Sequence, residues 1–149
     1  GNKFIGPDGV SLLGSRASFQ GDTIQGGTLL VHQSSRAVGD GLTVQGSGGD
    51  GISVRFDSFV RLTGSLVTGS AGAGMRVGGA SSVLLNPGTS VTNNAGAGIH
   101  VSEVSFAQFR PGVVVQGNGF DDVFCGPQFA ATSGATTNIG GGTTNCVEP

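Results

Sequence analysis

Few side chains in this chain could do chemistry. Charged residues make up only 11% of it, so each can be weighed in its place. His32, Arg55, Arg76 and His100 fall on the outward side of one short phrase that recurs along the chain, once in each of four consecutive repeats. Glu103 stands just past the edge of that strip. A row of cations one repeat apart suits the carboxylates of an acidic sugar chain, because a guanidinium donates two hydrogen bonds to one carboxylate. The same four residues also fit ordinary solvent-facing positions on a strand, and the sequence leaves both readings open.

The carboxylates are spaced wrongly for glycoside hydrolysis. Asp8, Asp50 and Asp121 share one turn position. Asp8 and Asp50 lie two repeats apart, about 10 Å, and Asp50 and Asp121 three repeats apart, about 14 Å. A retaining pair needs about 5 Å and an inverting pair about 6.5–9.5 Å. Only Asp8 and Asp50 approach the second range, and Asp suits a turn for local reasons. Asp121-Asp122 lacks the further carboxylates of a calcium site. His32 and His100 are three repeats apart, too far to share a metal. No Ser-His-Asp or Cys-His set assembles from neighbouring positions, so no catalytic residue is assigned. The Gly-x-Gly phrases precede strands, whereas a phosphate loop needs a following helix. We therefore expect neither cofactor nor metal. Cys125 and Cys146 fit one disulfide and an oxidising compartment, with two buried free thiols as the alternative. Closing that loop would stabilise the fold by about 3 kcal/mol.

The elements that must position these residues are short strands in a repeat. Gly98-Ile99-His100-Val101 occurs earlier as Gly74-Met75-Arg76-Val77 and as Gly51-Ile52-Ser53-Val54. A fixed period of this size marks a repeat architecture. The first strand of each repeat carries Val10/Leu12, Leu29/Val31, Ile52/Val54, Met75/Val77, Ile99/Val101 and Val123/Cys125. A weaker second ladder runs through Ala17/Phe19, Ala37/Gly39, Val60/Leu62, Val83/Leu85 and Ala107/Phe109. The third runs through Ile24, Val44, Val67, Val91 and Val115, and Ile5 is placed at its start. The period-2 alternation predicts strands with two inward residues flanking one outward residue. No useful length shows helical spacing. Successive copies stack in parallel about 4.8 Å apart, and inward residues form apolar rows through the column.

On these phrases, with Asn93-Asn94 and Gln116-Gly117-Asn118 in the turns, the chain resembles the right-handed parallel β-helix, the pectate-lyase-like solenoids. The resemblance covers roughly residues 4–125 and implies architecture, since many functions share such a fold. Its right hand agrees with the rule for parallel crossovers. It also implies a substrate groove along a parallel-sheet face, although the Asp-rich calcium cluster of a pectate lyase is missing. We expect an all-β, right-handed parallel β-helix of about six coils of 19–24 residues, with three short strands each. Residues 4–125 form the coils and 126–149 an irregular C-terminal cap, begun by Gly126-Pro127 and clamped by Cys125–Cys146. The first rung, Phe4 to Leu12, would lie open. A preceding domain or a homo-oligomer is expected to cover it, with the chain as the C-terminal part of a longer protein.

Composition narrows the function further. Thirty glycines recur in phase with apolar pairs, which points to ordered turns and away from disorder. A net charge of −2 argues against nucleic-acid binding. No apolar run reaches membrane-span length, and no signal peptide is visible at Gly1. The Thr-rich third face is interrupted by Gln, Leu66 and Val114, which disfavours ice binding. With Leu84 on the second strand, these apolar residues point to self-association. Two function readings follow. One is a non-catalytic, secreted or cell-surface β-helix module, structural or binding acidic polysaccharide. The other is a polysaccharide lyase or hydrolase domain whose active site lies partly or wholly outside this segment.

Overall fold

Alternating apolar and small polar residues, broken every few positions by glycine, leave the chain only short extended segments between corners. The computed structural model describes residues 1–126 and 130–148 and winds them into six stacked coils. The first coil holds β1 (Lys3–Ile5), β2 (Val10–Leu13) and β3 (Arg16–Gln20), and the second β4 (Thr23–Gln25), β5 (Leu29–His32) and β6 (Arg36–Asp40). The third holds β7 (Thr43–Gln45), β8 (Ile52–Arg55) and β9 (Phe59–Thr63), and the fourth β10 (Leu66–Thr68), β11 (Met75–Val77) and β12 (Ser82–Leu85). The fifth holds β13 (Ser90–Thr92), β14 (Ile99–Val101) and β15 (Phe106–Phe109), and the sixth β16 (Val114–Gln116), β17 (Val123–Cys125) and β18 (Ala131–Ser133). Each strand pairs in parallel with its counterparts one coil before and after, giving three six-stranded sheets. Sheet I runs through β2, β5, β8, β11, β14 and β17, sheet II through β3 to β18, and sheet III through β1 to β16.

The register follows the apolar ladders. Leu29, Ile52, Met75, Ile99 and Val123 pair in turn along sheet I, and all five are fully buried. Val44, Val67, Val91 and Val115 do the same along sheet III. The structure corrects two expectations. Phe4, not Ile5, pairs with Ile24, so Ile5 points outward and is 72% exposed. Both residues are apolar, and the pattern alone does not fix the phase of a three-residue strand; a slip of one residue inverts it. Sheet III strands also carry one inward residue between two outward ones, as in Thr23-Ile24-Gln25. Leu42 and Val113, just before β7 and β16, add to that core wall from the corners.

The corners are built to be stacked. Between sheets I and II the chain takes two successive left-handed residues, at Gln33-Ser34, Phe56-Asp57, Gly79-Ala80 and Glu103-Val104. Each pair is followed by a buried serine, and these serines form a ladder. Ser15, Ser35, Ser58 and Ser81 each donate their backbone N–H to the hydroxyl of the serine one coil on, at 3.0–3.2 Å. Beside sheet III, Ser70 N–H donates to Asn94 Oδ1, Asn94 N–H to Asn118 Oδ1, and Asn118 N–H to Asp122 Oδ1. These side chains supply acceptors that the corner backbone lacks. The glycines of the repeated phrase are needed for close approach. A Cβ on Gly74 would sit 2.7 Å from the Gly98 carbonyl oxygen, and one on Gly98 2.5 Å from that of Asp122.

The two ends differ. At the first coil Phe4 is 40% exposed, and Val10, Leu12 and Ala17 are only partly buried. At the other end the coil continues past residue 125, because β18 pairs with β15. Ala135 and Ile139 then lie buried over the core, and Ile139 accepts the N–H of Val115. Cys125 and Cys146 form a disulfide with Cα atoms 5.1 Å apart. Pro127, expected to break the coil, lies outside the described residues. No helix among the described residues is long and apolar enough to cross a membrane.

Candidate functional site

Sheet I positions the four residues of the strip because its inward residues are locked in the core and its alternate residues must face out. The outward residues form two columns. Leu30, Ser53, Arg76, His100 and Phe124 stand in one, and Leu13, His32 and Arg55 in the other. His32 therefore abuts Arg55, and Arg76 abuts His100, but the step from Arg55 to Arg76 is diagonal. The columns are two residues apart along the strand, about 6.6 Å. The straight row expected from the repeat is thus a staggered one.

Arg76 is braced from both sides. Its Nε donates to Asp50 Oδ2 at 2.7 Å, forming the sole salt bridge among the described residues. Asp50 Oδ1 in turn accepts the backbone N–H of Ala73 at 2.8 Å. Asp50 thus ties its turn to the next coil, which is more than the local turn role its residue type suggests. Arg76 Nη1 lies 3.1 Å from His100 Nδ1. A guanidinium can only donate, so Nδ1 is the acceptor and the imidazole proton sits on Nε2. Burial and the Arg76 charge hold His100 below its ordinary pKa. Of the five guanidinium N–H groups, two are used here. The His100 ring packs edge-on to Phe124 at 4.9 Å, and Phe124 to Phe120 at 5.3 Å.

Two open hollows flank the Asp50–Arg76 bridge on this face. One, of about 510 Å³, lies over the first three coils and is lined by Asp8, Leu30, His32, Asp50, Arg55 and Phe56. The other, of about 390 Å³, lies over the last three and has a Gly/Ala floor with Arg76, His100, Phe120 and Phe124 as walls. Phe56 and Phe120 are 57% and 59% exposed. Sequence reasoning missed these phenylalanines because they lie in or beside corners, outside the alternating pattern. Their signal was an apolar residue where each neighbouring repeat has a polar or small one. Ser11 Oγ lies 3.3 Å from His32 Nε2, a contact not expected from the spacing. No carboxylate hydrogen-bonds that imidazole among the described residues, so the pair is not a triad.

Asp122 is a structural residue. Burial opposes its charge, but hydrogen bonds from Thr143 and Asn118 outweigh that and hold its carboxyl below the ordinary value. It fastens the C-terminal cover to the sixth coil. No group of three or more metal-ligating side chains occurs among the described residues.

Six stacked parallel coils with three sheets define a β-solenoid. A family model described as a right-handed β-helix region matches residues 1–143, and the chain belongs to that family. Comparison with curated proteins and with solved structures gave no match.

Proposed function

We propose that this chain is a non-catalytic extracellular β-helix module that binds an acidic polysaccharide along the outer face of sheet I. The observation that carries the reading is the placing of Arg55 and Arg76, with His32 and His100, on the rims of two hollows that each also hold an exposed phenylalanine. Guanidinium groups bind carboxylates through paired hydrogen bonds, and phenylalanine rings pack on the apolar faces of sugars. The disulfide supports an oxidising, extracellular setting. Leu66 and Val114 on sheet III, with the open first coil, are the apolar positions for a second copy of the chain.

Incubation with pectin, alginate and other uronate polymers tests the reading. It predicts retention of the protein on the polymer with no new reducing ends. A release of reducing ends by purified protein would sink the non-catalytic part. The second reading, a lyase or hydrolase completed by residues outside this segment, is favoured by one observation. Asp8 and Asp50 line the same hollow as His32 and Arg55. It predicts turnover that Asp50→Asn abolishes.

A further inference from the structure

Sheet II carries a second basic face that the sequence pattern concealed. Arg16, Arg36 and Arg61 all point outward from β3, β6 and β9. Arg16 pairs directly with Arg36 across adjacent strands, and Arg61 follows in the next strand, beside Val38. None of the three has a carboxylate within 4.0 Å among the described residues. Like charges directly opposite each other destabilise a strand pair, so this arrangement lacks a counter-charge. The Arg36 guanidinium is held over the Phe59 ring, 4.6 Å from its centroid, which fixes its direction. The Nε of Arg61 is buried with no hydrogen-bond partner. Val38 and Leu84, half-buried, flank Arg61 in its column, and exposed Phe106 stands one column over.

We infer that this face binds a sulfated polysaccharide. Arg16 and Arg36 stand at one register position in neighbouring coils, about 4.8 Å apart at the backbone, so both can donate to one tetrahedral oxyanion with three free oxygens. A planar carboxylate, which offers two oxygens to one fork, matches the single forks of Arg55 and Arg76 better. The apolar surface beside the arginines suits sugar rings over a bare ion. The site is distinct from sheet I and does not depend on the reading given above.

The test is binding of labelled dextran sulfate, with uncharged dextran and polygalacturonate as parallel probes. Four proteins are compared: the wild type, R16Q/R36Q, R61Q and R55A/R76A. Arg16 and Arg36 are exposed, and glutamine keeps most of their bulk, so melting temperatures should stay close to wild type. Loss of two charge-assisted contacts should weaken dextran sulfate binding at least about tenfold in R16Q/R36Q. R61Q should weaken it to a lesser degree, R55A/R76A should leave it within about twofold, and added salt should weaken it throughout. The inference is overturned if wild type binds dextran sulfate no better than dextran. It is also overturned if R16Q/R36Q binds dextran sulfate as wild type does, or if R55A/R76A loses that binding equally. Wild type that binds dextran sulfate but not polygalacturonate would support this site and count against the one on sheet I. Should R16Q/R36Q fail to fold, the melting shift produced by dextran sulfate in R61Q decides: a reduced shift supports the site and an unchanged one refutes it.

Discussion

Arg76 shows what a residue's type and position leave unsaid. The sequence marks it as an outward cation, and it is one. The sequence does not show that Asp50, 26 positions earlier, reaches back across a coil to meet it. That contact depends on which way a turn aspartate swings, and no periodicity encodes this. A free imidazole would charge below about pH 6.5; in the fold the imidazole beside Arg76 is His100. Burial and the Arg76 guanidinium keep it neutral to lower pH. The sign for stability follows. The unfolded chain takes up this proton first, so His100 subtracts stability as pH falls through 6.5 toward its lowered folded value. His100→Gln should therefore flatten the fall in unfolding free energy between about pH 7 and pH 5. An equal slope in both proteins would show that His100 is not the group responsible. Asp122 gives a pH slope of the same sign, at lower pH. Its lowered pKa adds stability above 3.8 that is lost as pH falls through the folded value. Asp122→Ala should cost about 1–3 kcal/mol at neutral pH, because Asn118 and Thr143 lose their acceptor. Chemical denaturation at neutral pH would measure that loss directly.

At the scale of strands and corners, the rows that face the core were legible because burial writes a period of two. Ile52, Met75 and Ile99 were readable as one column, since only inward positions must be apolar in every coil. Ile99→Ala should cost about 2–5 kcal/mol in a core packed this closely, and an unchanged denaturation midpoint would contradict the packing. The phase of β1 was not legible, because two adjacent apolar residues satisfy either register. The serine ladder was written in the sequence at Ser15, Ser35, Ser58, Ser81 and Ser105, yet hydrophobic patterning passes over it. Ser35, Ser58, Ser81 and Ser105 are buried for hydrogen bonding, not for transfer from water. Ser58→Ala should remove the acceptor for the buried N–H of Ser35 and cost about 1–3 kcal/mol, read by urea denaturation. A cost near zero would mean that water reaches this corner. The arginines of sheet II were hidden in the same way, since apolar patterning singles out only Leu84 among the outward residues of that ladder.

For the whole molecule, the two ends set what stacking alone cannot. The C-terminal segment covers the sixth coil with Ala135 and Ile139 and is fastened by Asp122 and the disulfide. Replacing both cysteines by serine should lower stability by about 3 kcal/mol through the freed loop. Hydrogen exchange should then quicken first in sheet strands of the sixth coil, while uniform quickening would mean that the cover has no separate stability. The first coil leaves Phe4 exposed and Val10, Leu12 and Ala17 only partly buried. The central claim is that sheet I is a binding face for acidic polysaccharide. Calorimetric titration of a uronate oligomer into wild type and into R55A/R76A, at low and at moderate salt, tests it most directly. The account predicts saturable binding by wild type that weakens with salt and is abolished in the double variant, with the melting temperature held. Binding that survives the double substitution, or that ignores salt, would contradict it.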